Sequence, residues 1–414
     1  MLGLGYIGLP TALFYRRAGY AIHGIDTNEE LVSELRDGKI RMKEEGLEQI
    51  AQKHLSSISL SSSYEDIGDI DVFVLCLPSP IDERGKPVIR YLENSVSSIA
   101  SRIKKDCLVL VESTVPVGTT EKLGELYGRV SGKKLDKDYW FAHCPERVLP
   151  GKVVQEMDMN HRLAGGITER STNLAVAFLN TVFDSSLIHA TNARTSETAK
   201  LAENAFRDVN IAYANELARL CTSLKIDVME VIELANLHPR VDILNPGLGV
   251  GGYCLPKDGW ILVESVREFG GDGVLIPAAR QVNDGMPAHV SKRIRDVVLD
   301  LSLRSSIGVL GLSFKPDVSD TRNSPSLDLI KLLGSTGMEV IVYDPMIDEK
   351  YGDRKAESID DVLASCDVLV LGAAHQVLKD ELRGTDLSNK VFVDPHGTMT
   401  DMRTKVLKYI GLSI

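Results

Sequence analysis

The chain has 414 residues, enough for two or three domains of roughly 100–200 residues each. Hydrophobic residues make up 43% and charged residues 25%, which excludes global disorder, collagen and a disulfide-stapled miniprotein. The formal net charge of −11 argues against a nucleic-acid-binding protein, whose surface is usually basic.

No segment reaches the roughly 20 consecutive apolar residues of a membrane span. The chain also does not open with a charged segment followed by an apolar run, so we expect neither membrane association nor a secretion signal. The six cysteines show neither CxxC pairs nor metal-ligand spacing. We therefore expect reduced thiols, no bound metal and a cytoplasmic location.

Short apolar runs alternate with amphipathic stretches in the first part of the chain, which predicts an α/β fold on a parallel sheet. Five apolar runs are the predicted strands: Tyr20–Asp26, Asp71–Leu77, Cys107–Glu112, Trp140–Cys144 and Arg162–Gly166. Two amphipathic stretches are the predicted helices: Asn28–Asp37 and Leu92–Lys104. Only Met1 and Leu2 precede the first glycine turn, where a strand is expected, so either that strand is truncated or the true start lies upstream.

Around Thr191 the pattern changes to long helices. Thr195–Leu224 contains neither Gly nor Pro and predicts a single helix about 45 Å long. A second helical pattern, Ala288–Leu303, follows Pro287. The α/β pattern then returns with four predicted strands: Ser306–Leu312, Met338–Asp344, Asp367–Gly372 and Val391–Asp394.

The two α/β parts are similar to each other. Gly3-Leu4-Gly5 corresponds to Leu310-Gly311-Leu312, and Asp26 and Asp344 each close an apolar strand. We therefore predict two Rossmann-like, doubly wound domains joined by a helical central region, with boundaries at 1–190, 191–303 and 304–414.

The segment Gly3–Gly8 matches the dinucleotide-binding pattern G-x-G-x-x-G. Gly3 permits the tight turn, Gly5 lets the backbone approach a pyrophosphate, and Gly8 allows close packing of the helix on the strand. Asp26 ends the next strand, where an acid binds the ribose 2′-OH, and no Arg follows directly, so NAD is favoured over NADP. A glycine turn next to a solvated aspartate would give the same pattern.

Two polar segments follow predicted strands, where Rossmann sheets bind ligands. Thr114 lies after Cys107–Glu112, although a threonine there can equally cap a helix. Glu146 lies after Trp140–Cys144 and could transfer a proton or orient a water. By residue type alone, Glu146 is expected to be a surface glutamate.

Lys200 and Asn204 lie four residues apart in the predicted long helix, so they share one face, with Arg207 adjoining. A cation and an amide on one face can stabilise an oxyanion. A solvated helix face would show the same spacing.

The most informative segment is the glycine-rich run from Asn245 to Asp258. Its glycines make a loop able to wrap closely around a ligand, and the loop delivers Cys254 just before a helix start at Pro256. Helix N-termini and nearby cations lower the pKa of a thiol and make the thiolate available. A small buried cysteine is the alternative, and the glycine context argues against it.

The segment Gly311–Pro325 follows a strand of the last domain. Its Lys315 and Arg322 are able to pair with phosphates. Its Ser324 is able to cap the N-terminus of the next helix. A charged surface loop is the alternative.

Together these segments resemble the UDP-glucose/GDP-mannose dehydrogenase family over essentially the whole chain, except for the first strand. The dinucleotide turn, the Lys–Asn helix, the glycine-rich Cys loop and the Phe-Lys-Pro-Asp…Asp-Thr-Arg segment occur in the family's order. Glu203–Ala212, His238–Val241 and Gly249–Asp258 are most similar to the branch that acts on UDP-N-acetylhexosamines, above all UDP-N-acetyl-D-mannosamine. That branch usually carries His where this chain has Tyr253.

The resemblance implies an enzyme that oxidises a sugar C6 alcohol twice to a uronate, with two NAD⁺. Cys254 would capture the aldehyde as a thiohemiacetal and then carry the thioester. Lys200 and Asn204 would stabilise oxyanions. Asp258 would order a water or take a proton, and Glu146 would assist hydrolysis. The resemblance also implies a homodimer or homotetramer built on the long helix, and a role in supplying polysaccharide precursors. The first domain would bind NAD and the last the UDP-sugar.

The ligand-binding residues are likewise implied by the resemblance. The NAD-binding residues would be Gly3, Gly5, Tyr6, Ile7, Gly8, Asp26, Pro78 and Thr114, with Arg322 reaching the NAD of a neighbouring subunit. The substrate-binding residues would be Glu146, Arg147, Lys200, Asn204, Arg207, His238, Arg240, Gly251, Phe314 and Lys315.

Other functions remain open at this stage. A UDP-N-acetylglucosamine or UDP-glucose 6-dehydrogenase would use the same chemistry. A one-step β-hydroxyacid dehydrogenase also uses a Lys and an Asn on one helix, but it needs neither Cys254 nor the last domain. A non-catalytic nucleotide-binding protein would bind the dinucleotide without turnover.

Overall fold

The computed structural model describes residues 1–42, 44–82, 85–103, 105–149, 151–303 and 306–413. The predicted helix end at Lys104 and the predicted domain boundary at residue 304 lie outside the described residues. The chain divides into two compact units. The first unit is Met1–Glu203 with Ile261–Asp272, and the second unit is Asn204–Trp260 with Gly273–Ile414.

The first unit holds seven strands and seven helices in its described part. The strands are β1 (His23–Ile25), β2 (Ser59–Ser61), β3 (Val72–Leu75), β4 (Cys107–Val111), β5 (Tyr139–His143), β6 (Arg162–Gly166) and β7 (Ile188–Asn192). The helices are α1 (Gly8–Arg17), α2 (Glu29–Arg36), α3 (Leu47–His54), α4 (Arg90–Arg102), α5 (Thr119–Ser131), α6 (Val153–Met159) and α7 (Glu169–Leu179).

Leu2 occupies the place of the first strand. It bridges in parallel to Ile25 of β1 and to Leu75 of β3, so the sheet runs β2-β1-Leu2-β3-β4-β5-β6-β7. All pairs are parallel except β5 with β6, which are antiparallel. This is the doubly wound order, in which the crevice at the carboxyl ends of the central strands binds ligand.

Apolar residues bury both faces of the sheet. In β4, Leu108 and Leu110 join one apolar cluster while Val109 and Val111 join the other. A strand buried on both faces needs a continuous apolar run, and this explains why β4 was predicted as a strand from the sequence.

Two helices have residues in both units: α8 (Ala193–Leu224) and α10 (Leu255–Glu268). Helix α8 has 32 residues and matches the predicted Thr195–Leu224 closely. No Gly or Pro interrupts its backbone hydrogen bonds, so it runs without a break.

The second unit is built on a six-stranded, fully parallel sheet of order β10-β9-β8-β11-β12-β13. Its strands are β8 (Ser306–Leu310), β9 (Glu339–Tyr343), β10 (Arg354–Lys355), β11 (Val368–Leu371), β12 (Leu387–Val393) and β13 (Val406–Ile410). The helices besides α8 and α10 are α9 (Val228–Asn236), α11 (Leu275–Asp284), α12 (Met286–Asp300), α13 (Pro325–Ser335), α14 (Ile359–Ser365) and α15 (Gln376–Arg383). The predicted α/β class with parallel sheets is confirmed.

The glycine turns of the two units have matching geometry. Gly3 and Gly311 have φ values of 90° and 86°. The amide of Leu4 donates to Asp26 Oδ2 at 2.8 Å, and the amide of Leu312 donates to Asp344 in the same way at 2.6 Å. The internal similarity predicted from the sequence is therefore present in the structure.

Candidate active site

Each glycine of the first turn has its own structural reason. A methyl group on Gly8 would lie 2.0 Å from the Gly3 carbonyl oxygen, so only glycine lets α1 start this close to the turn. A methyl group on Gly5 would meet no atom within 4 Å. The space beside Gly5 is thus open, as a backbone that must approach a pyrophosphate requires. Tyr6 and Ile7 follow in this turn, and the Tyr6 hydroxyl donates to Glu44.

Asp26 is held in place by backbone donors. Leu4 N–H donates to its Oδ2 at 2.8 Å and Asn28 N–H to its Oδ1 at 3.0 Å. The carboxylate is half-buried and each oxygen has one such donor, so lone pairs remain to accept from ribose hydroxyls. The turn and Asp26 together fit the adenosine half of NAD.

Pro78 and Thr114 lie beyond the carboxyl ends of the neighbouring strands β3 and β4. Ser113 ties the two ends together, since its hydroxyl accepts from Leu77 N–H at 2.8 Å and donates to the Leu77 carbonyl at 2.8 Å. The structure therefore brings both predicted cofactor residues to the edge of the sheet that also carries the glycine turn.

Glu146 is buried, with 7% of its surface exposed, so the expectation of a surface glutamate is wrong. Its Oε2 pairs with Arg162 Nη1 at 3.0 Å, and its Oε1 accepts from Arg147 N–H at 2.8 Å. Arg162 lies sixteen residues further along the chain, on β6, so residue type at Glu146 alone could not reveal the pair.

A second buried carboxyl group, Glu112, was not singled out from the sequence. It accepts from the Tyr15 hydroxyl at 3.0 Å and from the Cys76 thiol at 2.9 Å. Burial raises the pKa of Glu112 to about 7, and the charge of Glu146 adds to the rise. Its position as the last residue before the Ser-Thr segment was the available signal.

The first turns of α8 carry Lys200 to the end of β5. His143 Nδ1 lies 2.9 Å from the Ser196 hydroxyl, and its Nε2 lies 3.3 Å from the Ser113 carbonyl. Burial lowers the pKa of His143 to about 3, and the positive charge of Lys200 contributes. His143 is therefore neutral at physiological pH and holds α8 against the sheet. Arg147 pairs with Glu203 of α8 at 2.7 Å.

In the second unit, Cys254 lies exposed at the start of α10. Its carbonyl accepts from Lys257 N–H at 3.1 Å and from Asp258 N–H at 2.9 Å, which begins the helix at this residue. The side chain of Asp258 is fully buried and accepts from Lys257 Nζ at 2.8 Å and from Asn204 Nδ2 at 2.7 Å. The structure thus joins the predicted Asn204 and Asp258 directly, one turn from the thiol.

The glycines of the loop allow a close approach of two backbone segments. A methyl group on Gly251 would lie 2.5 Å from the Asn323 carbonyl oxygen and 2.8 Å from Phe314 Cβ. Gly252 N–H donates to the Arg322 carbonyl at 2.9 Å, and Asn323 Nδ2 donates to the Gly252 carbonyl at 3.0 Å. The predicted Gly251, Phe314 and Arg322 therefore meet at the Cys254 loop.

Tyr253 lies between two cations of this cluster. Lys257 Nζ lies 4.8 Å and the Arg322 guanidinium 5.4 Å from the ring centroid. Arg322 also pairs with Asp320 through Nη2 at 2.5 Å, which raises the pKa of Arg322. Neither Lys257 nor this use of Tyr253 was predicted, since both depend on which segments the fold brings together.

A cavity of about 380 Å³ opens beside Arg322, beyond the carboxyl ends of β8 and β9. Lys315 is half-buried in the same loop after β8, where its carbonyl accepts from the Ser313 hydroxyl at 2.7 Å. The cavity is lined by Ser319, Asp320, Thr321, Arg322, Met346, Ile347, Asp348 and Glu349. This is where an open parallel sheet binds its ligand.

Three predicted substrate residues lie on the surface. Arg207 is exposed on α8, and His238 and Arg240 are exposed after α9. Arg240 N–H donates to His238 Nδ1 at 3.4 Å, so these two contact each other.

None of the described helices combines the length and apolar character needed to cross a bilayer. Within the same described ranges, no three His, Cys, Asp or Glu side chains are grouped closely enough to share a metal ion.

Three family models match successive parts of the chain. All three belong to the UDP-glucose/GDP-mannose dehydrogenase family: the NAD binding domain matches residues 1–185, the central domain residues 194–285, and the UDP binding domain residues 308–404. The NAD cofactor predicted from the glycine turn and Asp26 is thereby confirmed.

Several relatives that match most of the chain are named UDP-N-acetyl-D-mannosamine dehydrogenase. The UDP-N-acetyl-D-mannosamine dehydrogenase of Pyrococcus horikoshii is 37% identical over 402 residues, covering 95% of this chain and 94% of the relative. The Campylobacter jejuni enzyme of the same name is 40% identical and covers 84% of this chain and 86% of the relative. The solved structure of the UDP-D-ManNAc dehydrogenase from Pyrococcus horikoshii superposes with a TM-score of 0.92 at 35% identity, covering 100% of this chain and 98% of that one.

Proposed function

Because the chain belongs to the UDP-glucose/GDP-mannose dehydrogenase family, we propose that it oxidises C6 of UDP-N-acetyl-D-mannosamine to the carboxylate with two NAD⁺. The family predicted from the motifs is confirmed, and the chain is an NAD-dependent oxidoreductase. The observation that carries the proposal is the exposed Cys254 thiol at the start of α10, one turn from the buried Asp258. The proposed substrate is that of the Pyrococcus horikoshii and Campylobacter jejuni relatives, as their names state it.

A thiol makes the second oxidation possible. Oxidation of the alcohol releases a hydride and a proton and leaves an aldehyde, to whose carbon the Cys254 thiolate adds through a new C–S bond. Loss of a second hydride from the resulting thiohemiacetal, together with its hydroxyl proton, gives a thioester. Water then adds and the C–S bond breaks, which releases the carboxylate and restores the thiol. NAD⁺ would supply the hydride acceptor, with one molecule used for each of the two oxidations.

The polar groups that we propose for catalysis suit the charges that develop. The Asn204 amide donates one hydrogen bond to Asp258, and Lys257 pairs with the same carboxylate. Asn204 and Asp258 are therefore held in place before substrate arrives, and the second N–H of the Asn204 amide can donate to an oxyanion. Lys200 supplies a positive charge beside the neutral His143. Glu146 keeps one free lone pair on each oxygen after pairing with Arg162 and Arg147 N–H, and we assign it the activation of the hydrolytic water.

We assign the two nucleotides to the two Rossmann-like domains. Gly3, Gly5, Gly8, Asp26 and the adjoining strand ends would hold NAD. Phe314, Lys315 and the cavity beside Arg322 would hold the UDP moiety, in agreement with the UDP binding domain match. The proposed domain division remains 1–190, 191–303 and 304–414.

We propose a homodimer that associates through α8. Four large apolar side chains of this helix are more than half exposed and recur at intervals of seven, seven and four residues: Phe206, Tyr213, Leu220 and Leu224. Such a stripe is typical of a helix that packs against another helix. Sedimentation of wild type and Phe206→Glu tests this, with dissociation expected for the variant; a monomeric or tetrameric wild type would contradict a dimer.

We place the enzyme in the cytoplasm, in the supply of uronate precursors for polysaccharides. None of the six cysteines, all of which the structure describes, forms a disulfide, which suits a reducing compartment. Detection of the uronate in cells that express the chain, and its loss with Cys254→Ser, would test this assignment.

The chemistry is tested by counting NADH formed per nucleotide sugar consumed. We expect two NADH per UDP-N-acetyl-D-mannosamine for wild type and for Cys366→Ala, a matched cysteine variant in the second unit. Cys254→Ser should lose the second oxidation. One NADH per sugar in wild type would indicate one-step chemistry, and no turnover would indicate a binding protein.

A substrate panel tests the sugar. UDP-N-acetyl-D-mannosamine, UDP-N-acetylglucosamine, UDP-glucose and GDP-mannose should be ranked by kcat/KM. A higher value for any of the last three would contradict the proposed substrate while leaving the two-step chemistry intact.

A further inference from the structure

Three asparagines of α8, which we call the asparagine row (Asn204, Asn210 and Asn215), bind the chain on the two sides of Cys254: Asn204 after it, and Asn210 and Asn215 before it. Asn204 donates to Asp258 at 2.7 Å. Asn210 accepts from Leu244 N–H at 3.0 Å and donates to the Asp242 carbonyl at 2.8 Å. Asn215 accepts from Gly247 N–H at 2.8 Å.

Asn215 is itself fixed by a buried polar chain. Its Nδ2 donates to Asn283 Oδ1 at 2.9 Å, and Asn283 Nδ2 donates to Asp208 Oδ1 at 2.9 Å. Arg280 Nη1 pairs with the same Asp208 oxygen at 2.6 Å. All four side chains are at most 2% exposed. A buried network of directed hydrogen bonds specifies one geometry where an apolar core would tolerate several, even though Asp208 Oδ2 and Arg280 Nε have no hydrogen-bond partner.

The loop needs hydrogen bonds from other segments, because its own residues have few side chains that could fix its conformation. Between Gly247 and Gly252, four of six residues are glycines, which give the backbone freedom and supply no side chain to pack. The far end of the loop is held at Gly252 by Arg322 and Asn323. The near end is held at Gly247 by Asn215, so the position of Cys254 depends on both attachments.

We propose that Asn215 is a positioning residue for Cys254, acting through Gly247, with Asn210 in a supporting role. The proposal rests on the proposed function in one respect: a misplaced thiol would impair capture of the aldehyde and leave the first oxidation intact. Loss of the Asn215 contact should therefore uncouple the two oxidations. A residue that only stabilised the fold would lower both oxidations together.

The test uses two full-length variants. Asn215→Leu removes both hydrogen bonds of this side chain and replaces it with one of similar size. Asn210→Ala changes a half-buried position, which tolerates substitution more readily. We expect NADH per sugar to fall from two toward one, with free aldehyde trapped by hydroxylamine, and an unchanged Kd for NAD. The rate of Cys254 alkylation by iodoacetamide, followed by mass spectrometry of its peptide, should fall at least threefold.

Thr222→Val is the matched control, because it removes from the same helix a hydroxyl that lies 2.9 Å from the Ala218 carbonyl oxygen and 3.0 Å from the Leu412 carbonyl oxygen. It should lower the melting temperature without changing the alkylation rate or the NADH count. Normal alkylation and two NADH per sugar in both asparagine variants would overturn the proposal. A wild type that makes fewer than two NADH would overturn the proposed function instead, and the alkylation rates would still decide the positioning role.

Discussion

Gly5 and Gly8 lie three residues apart in the same turn, yet alanine should affect them in opposite ways. At Gly5 the added methyl group meets no atom within 4 Å, and the residue does not have a positive φ, so the fold accommodates it. We expect stability to stay within about 0.5 kcal/mol of wild type, or to rise slightly because the unfolded chain loses freedom. At Gly8 the methyl group would lie 2.0 Å from the Gly3 carbonyl oxygen, and relief of that overlap should cost about 1–3 kcal/mol.

The same open space is where the pyrophosphate of NAD must approach the backbone. Gly5→Ala should therefore weaken NAD binding at least tenfold, which corresponds to about 1.4 kcal/mol, with an unchanged melting temperature. Gly8→Ala should lower the melting temperature by several degrees, since about 1 kcal/mol shifts a unit of this size by 2–4 °C. Calorimetric titration with NAD and thermal unfolding measure the two effects separately. Wild-type NAD affinity in folded Gly5→Ala would refute the assignment of this turn.

Three further predictions follow from the buried and clustered groups. The pKa of Glu112 rises from 4.5 to about 7 on folding, so the contribution of this group to the free energy of unfolding is fully present below pH 4.5 and is lost as pH rises through 7. In urea unfolding, Glu112→Gln should therefore gain up to about 3 kcal/mol of stability over wild type across that range. Parallel pH profiles for the two proteins would contradict this. Tyr253→Leu should raise the KM for NAD about two- to fivefold by releasing Arg322, which we expect to reach the NAD of a neighbouring subunit, while Tyr253→Phe keeps the ring and the wild-type KM, and equal values for the two variants would count against the cation–π contact. Asn204→Ala should lower kcat by about 10²–10³ with little change in KM, and a change confined to KM would show that Asn204 only binds substrate.

The buried strands were predictable because their residues must be apolar on both faces. Arg162–Gly166 was predicted with its observed bounds, and Cys107–Val111 to within one residue. Strands at or near the sheet edges were missed, as at Ile188–Asn192, where no residue is fully buried and polar residues are accepted. The antiparallel direction of β6 was also beyond the sequence, since an apolar run carries no sign of its direction.

In the candidate site, too, residues with a local sequence pattern were predictable and residues that depend on long-range contacts were not. Cys254, Asp258 and Asn204 could be proposed from the sequence because glycine spacing and helix position limit what they can do, and the structure joins the last two directly. The partner of Glu146 was not identifiable, because Arg162 reaches it only after β5 and β6 have paired. Side chains whose role depends on long-range pairing leave no local pattern to find.

The two glycine turns show how one framework comes to hold different nucleotides. Asp26 and Asp344 each accept two backbone amides in equivalent positions. Asp344, however, also lies 3.1 Å from Nε2 of the fully buried His375, and its own side chain is 0% exposed, whereas Asp26 is half-buried. Because the Nδ1 of His375 accepts from Asp317 N–H, its Nε2 carries the proton and donates to Asp344. Burial and the His375 contact therefore close Asp344 to a ribose hydroxyl, and we expect a dinucleotide to use this contact only in the first unit, where Asp26 is partly exposed.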